Sequence, residues 1–247
     1  GARGRVNYVI LFNSFNIMRI KKIFTIYLLF PCFLFLLSAA ALTAADEKNS
    51  PSPPDEASDV HDMLRGLGEK VSNFKSLKTN FIQEKNLAIF KNKIILRGRI
   101  YLQKPNKIAW HVDEPVKYSV LITDKSIRQW DEDTNQVQEM SLSGNPVFQN
   151  VLNQLAVWFS GDYVSLLKDY DVLLLRKSPL VFEFIPKKGN VAGKIIKSIT
   201  ISVRDDERYL KQIKILEISG DSTTIIFKDT IFNAPIDNLD FEVKRRV

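Results

Sequence analysis

Cysteine and histidine are nearly absent: the chain has one of the former, Cys32, and two of the latter, His61 and His111. Cys32 lies inside an N-terminal apolar run, so removal of that run leaves no disulfide, thiol nucleophile or thiolate metal site. Pro31 stands where a lipid-bearing cysteine needs a small neighbour, which argues against lipidation. No GxSxG, HExxH, GxxxxGK or GxGxxG pattern occurs, so no nucleophile elbow, zinc helix or phosphate loop is written here. His61 beside Asp62 reads as an exposed helix start, and His111 as a polar-face strand residue. The acid-rich stretches DEDTN (131–135) and DDER (205–208) fall on turns, where solvation explains them better than paired catalytic carboxylates. The chain does not read as an enzyme: no catalytic residue, metal ligand or cofactor is expected.

A nucleic-acid reading also fails, although the formal net charge is +7. Residues 1–45 hold five basic residues (Arg3, Arg5, Arg19, Lys21, Lys22) and no acidic ones. Removing them from 35 basic and 28 acidic residues leaves 30 against 28, a nearly neutral body.

That basic leader has the layout of a secretory signal over 18–45. MRIKK is its charged start, IFTIYLLFPCFLFLLSAAAL its apolar core, and Thr43 and Ala45 flank a small-residue cleavage site. The rival reading is a retained anchor, because the apolar run approaches the span length. Pro31 within the run and its small-residue end favour cleavage. Residues 1–17 precede Met18 and are set aside as an upstream extension. Residues 46–57, rich in proline, serine and acids, read as a flexible spacer ahead of a single domain over 58–243.

In that domain Asp59 is placed to cap a helix with Val60, Met63, Leu64, Leu67, Val71 and Phe74 on one face. From Leu77 the period changes to two, and ten or eleven strand signals follow with short turns between them. One interruption, NPVFQNVLNQLAVWFSG, predicts a second amphipathic helix with Asn145 as cap and Phe148, Leu155, Trp158 and Phe159 on its apolar face. The expected fold is mainly β with an α lid: an incomplete antiparallel barrel of about 10–11 strands covered by two amphipathic helices.

The run DVHDMLRGLGEKVSNFKSLKTNFIQEK, then GRIYLQKPNKIAWHVDEP, then ITDKSIRQWDEDTNQVQ resembles the periplasmic outer-membrane lipoprotein carrier family, LolA. The order of features is shared: an amphipathic helix, Phe81-x-Gln83 in the first strand, a glycine-led strand ending in a basic residue and proline, then a later tryptophan. The resemblance implies a carrier without cofactor that shields acyl chains in an apolar cavity. It implies acylated lipoproteins as cargo, an inner-membrane ABC releasing complex as donor and an outer-membrane receptor as acceptor, with the carrier a periplasmic monomer. The residues assigned to that cavity are Met63, Leu64, Leu67, Phe81, Ile100, Leu102, Trp110, Leu155, Trp158 and Phe159. Where the family typically has arginine before the proline, as a lid latch, this chain has Lys104, a point charge instead of a fork of donors. Its expected partners are carbonyls near Trp158–Gly161. A lipid-binding or lipoprotein-sensing module of the same architecture, with another lipidic cargo, is the alternative.

Overall fold

A computed structural model describes residues 54–89, 92–141, 157 and 161–243. The leader, its cleavage site and nearly all of the expected second helix lie outside these residues, so one main helix is described. That helix, α1 (Pro54–Ser72), begins before the expected cap at Asp59 and takes in 54–57 of the expected spacer. Proline suits a first helical turn, where its missing N–H would have no partner. Lys70 lies in the last turn, where its charge meets the negative end of the helix dipole.

Eleven strands follow: β1 (Ser76–Asn86), β2 (Ile94–Gln103), β3 (Lys107–Glu114), β4 (Tyr118–Ile122), β5 (Ser126–Asp131) and β6 (Val137–Ser141), then β7 (Tyr170–Lys177), β8 (Leu180–Pro186), β9 (Ile196–Val203), β10 (Leu210–Glu217) and β11 (Ser222–Phe232). They form one antiparallel sheet in the order β6-β5-β4-β3-β2-β1-β11-β10-β9-β8-β7. Sequential hairpins build each half, and the β1–β11 pairing, which joins Phe81 to Phe227, sews the halves together. β6 and β7 remain as edges, so the sheet is not closed.

The curl follows from burial on one face. A single apolar cluster runs from Ile127 on β5 through Ile100, Phe81 and Ile201 to Tyr170 on β7. Strands so far apart in the order share one interior only if the sheet bends around it, as a twisted sheet of this width does.

His111 corrects the sequence reading. It does alternate away from Trp110, but it is buried at 3% exposure, not solvated. The C-terminal segment crosses the outer face there, and Phe241 and Val243 pack against Tyr101, Ala109 and Leu121. His111 Nε2 donates to the Asp240 carbonyl at 2.8 Å, and Nδ1 shares a 2.8 Å hydrogen bond with the Ser119 hydroxyl. Strand period tells the two faces apart but not which one a distant segment covers. His111→Leu removes both bonds, each stranded group costing about 1–3 kcal/mol. A lower denaturant midpoint and faster proteolysis within 233–243 are expected; an unchanged midpoint refutes a clasping role.

Candidate functional site

The floor of the curl is built by β1, β2 and β3. In β2 and β3, Ile100 stands opposite Trp110 and Leu102 opposite Ile108. Ile100, Leu102 and Val112 are buried, while Ile108 and Trp110 are partly buried against the same cluster. The Trp110 ring lies 4.7 Å from that of Phe81. The turn at Lys104–Asn106 joins these strands, so its polarity and proline belong to a rim between two inward-facing apolar runs.

α1 supplies the roof. Leu64, Leu67 and Val71 are buried at 0–2% exposure, with Met63 partly buried beside them. The helix packs on the 3-10 helix Tyr163–Lys168, whose Tyr163 and Leu166 enter the same cluster. Gly68 and Gly161 touch through their backbones: a Cβ on Gly68 would stand 2.2 Å from the Gly161 carbonyl oxygen. The structure therefore brings Met63, Leu64, Leu67, Phe81, Ile100, Leu102 and Trp110 together around one interior. Leu155, Trp158 and Phe159 lie outside the described residues.

Polar contacts tie α1 to the sheet. Lys104 Nζ donates to the carbonyls of Val71 (3.2 Å) and Ser72 (3.1 Å) and sits 4.2 Å above the Phe74 ring. These carbonyls close the C-terminal end of α1, not the Trp158–Gly161 end named from the sequence. The physical logic is the same, because any helix C-terminus offers unpaired carbonyls and partial negative charge. β1 follows α1 directly, and its pairing with β2 brings the end of α1 beside Lys104. Burial lowers the Lys104 pKa. Lys70 pairs with Glu207, and Lys177 reaches Asp59 at 3.5 Å. The acidic turn at 205–208 is thus solvated in part and a helix partner in part, which its composition alone did not reveal.

Tyr209 was also missed. It is fully buried, with its ring 5.8–5.9 Å from those of Phe74, Phe227 and Phe232, and burial pushes its hydroxyl well above the ordinary tyrosine value. A cleft of about 240 Å³ opens beside it, between Lys70 and Asn73 of the α1 end and Arg208, Phe232 and Asn233 of the sheet. Among the described residues no group of three or more His, Cys, Asp or Glu side chains could hold a metal ion. What the arrangement offers is a one-sided apolar interior between the sheet and α1.

The family described as outer membrane lipoprotein carrier protein LolA matches residues 72–244. An outer-membrane lipoprotein carrier protein of Azotobacter vinelandii is 23% identical over 214 residues, spanning 85% of this chain and 93% of the relative. The protein of that description from Coxiella burnetii strain CbuK_Q154 is 22% identical over 188 residues, covering 74% and 83%. A solved LolA superfamily protein from Nitrosomonas europaea aligns with 72% of this chain and 97% of its own at 13% identity and a TM-score of 0.36.

Proposed function

Because the chain belongs to the LolA family, we propose that it is a periplasmic chaperone that carries lipoproteins from the inner to the outer membrane. In this reading it receives them from an inner-membrane ABC releasing complex and delivers them to an outer-membrane receptor. The observation that carries the reading is the one-sided apolar interior of an open sheet, roofed by a helix whose C-terminal end is tied to the sheet through Lys104. Exposed acyl chains cannot cross water: each buried CH₂ is worth about 0.8 kcal/mol, so a sixteen-carbon chain represents roughly 10 kcal/mol. A carrier needs that much apolar surface and a way to give it up. The activity breaks no bond and uses no cofactor.

Lys104 is the latch in this proposal. A cation at a helix C-terminus contributes about 0.3–1 kcal/mol, a size that holds a lid shut without locking it. Lys104→Leu is expected to loosen α1 and impair retention or release of cargo, with the sheet still folded. Lys104→Arg should transfer at least as well as the parent, since its additional donors reach the same two carbonyls. The test is transfer of an acylated lipoprotein to its outer-membrane receptor, read for all three proteins. Parental transfer by Lys104→Leu refutes the latch. Intact mass of the protein purified from the periplasm tests the wider reading: bound lipoprotein supports the carrier, and a lipid alone supports the lipid-binding alternative.

A further inference from the structure

The inner face of β1 becomes more polar toward its C-terminal end. Along β1 every second residue faces inward, giving Leu77, Thr79, Phe81, Gln83 and Lys85, all buried. Thr79 is satisfied, donating to the Lys228 carbonyl at 3.0 Å and meeting the Thr230 hydroxyl at 2.8 Å. Gln83, at 3% exposure, is not: its Nε2 is buried with no hydrogen-bond partner. The same is true of the hydroxyl of Thr223, at 1% exposure.

Register brings these groups together. Lys85 stands directly opposite Thr223, and Gln83 opposite Ile225, so Gln83 and Thr223 are diagonal neighbours on one face. Such neighbours lie roughly 7–8 Å apart, within reach of one small ligand group. On the next strand Ile215 is opposite Thr223, and Glu217 follows two residues on, buried and on the same face. The cluster lies at the end of β1 away from the Lys104 rim.

Stripping an amide and a hydroxyl of water without giving them partners is unfavourable. Leucine and valine would fill these positions without that penalty, so the donors point to an acceptor that arrives with a ligand. We propose that Gln83, Thr223 and Lys85 form a polar pole inside the acyl cavity that receives the carbonyl oxygen of an ester- or amide-linked acyl chain. This rests on the carrier reading and adds to it a part of the ligand beyond its hydrocarbon. An acyl carbonyl is an acceptor on an otherwise apolar chain, and it matches one amide, one hydroxyl and one ammonium donor. Glu217, buried on the same face and within the influence of the Lys85 charge, already supplies a carboxyl, so the pole favours a neutral acceptor over a second anion. Burial pushes the Glu217 pKa up and the Asp221 charge adds to this, while Lys85 draws it down. A neutral carbonyl therefore suits the pole better than a free carboxylate.

The acyl carbonyl can come from a lipoprotein or from a free glycerolipid. Affinities should be measured for a tripalmitoyl-cysteinyl peptide, for dipalmitoylglycerol and for dihexadecylglycerol, the ether analogue that lacks carbonyls. The parent is expected to bind dipalmitoylglycerol about tenfold tighter than its ether, one hydrogen-bonded acceptor being the difference. In the Gln83→Leu/Thr223→Val protein this preference should fall to near unity, ether binding should persist, and the empty protein should melt no lower than the parent. Thr223→Val alone should show part of the loss, which covers the case of a poorly folded double variant. Loss of affinity for both the peptide and dipalmitoylglycerol supports a pole that reads any acyl ester, and loss for dipalmitoylglycerol with the peptide unaffected supports one that reads a free glycerolipid. A parent that binds ester and ether equally, or a double variant that keeps the preference, overturns the pole while leaving the carrier reading intact. A parent that binds none of the three ligands overturns the acyl cavity and the pole with it.

Discussion

Trp110→Glu is expected to abolish uptake of acylated cargo while the sheet remains folded. Trp110 lines the interior from β3, opposite Ile100 and against Phe81, but it is only partly buried. In the empty protein a glutamate there can still reach water, so the fold survives. Once acyl chains cover the position, the carboxylate must either lose its hydration or take up a proton, and both oppose binding. Several kcal/mol is the expected scale even after relaxation, which lowers affinity by on the order of 100-fold or more. Leu67→Glu is a poorer test, because Leu67 is 2% exposed beneath α1 and a charge there threatens the fold itself. Titration with a lipopeptide, paired with a melting curve, separates the two outcomes. Parental affinity in a folded Trp110→Glu protein would mean that the tryptophan is wall and not binding surface.

The second large effect is expected at the Gly68–Gly161 contact. Gly161 is buried and has φ of +93°, a conformation that costs other residues about 1–3 kcal/mol. A Cβ there would also stand 2.6 Å from the Gly68 carbonyl oxygen and 3.2 Å from Cβ of Val71. Neither strand of backbone can give way without moving α1, so overpacking adds about 1–3 kcal/mol. Gly161→Ala should therefore destabilise the closed form by roughly 2–6 kcal/mol in all. Gly68→Ala isolates the steric part, because Gly68 lies within α1 and helical backbone suits alanine. Both variants are expected to bind a hydrophobic dye more strongly and to exchange α1 amides faster than the parent. Protection of α1 equal to that of the parent in both would show that this contact does not set the distance of the roof.

These two tests bear on features of different origin. The side that Trp110 faces is legible because alternation in KIAWHV is local: strand geometry puts every second side chain on one face whatever lies around it. The glycine contact was not legible. Gly68 and Gly161 are far apart in sequence, and nothing near either one marks its close approach to the other. Gln83 lies between these cases. Its place on the inner face followed from the parity of Leu77 and Phe81, but its lack of a partner depended on what β11 set beside it.

By itself the sequence determined the class of the molecule, the approximate number of its strands, the apolar face of α1 and, through alternation, which side chains share a strand face. Each follows from periodicity or turn chemistry within a dozen residues, where backbone geometry leaves few alternatives. Tertiary structure decided the rest. Pairing of β1 with β11 united the two halves of the sheet and placed Lys85 opposite Thr223. The crossing of the C-terminal segment buried His111 on a face that alternation marked as polar. The run of α1 into β1, beside β2, gave Lys104 the carbonyls of Val71 and Ser72. Such contacts join residues tens to more than a hundred positions apart. Their free energy depends on which surfaces meet, and no local pattern carries that information.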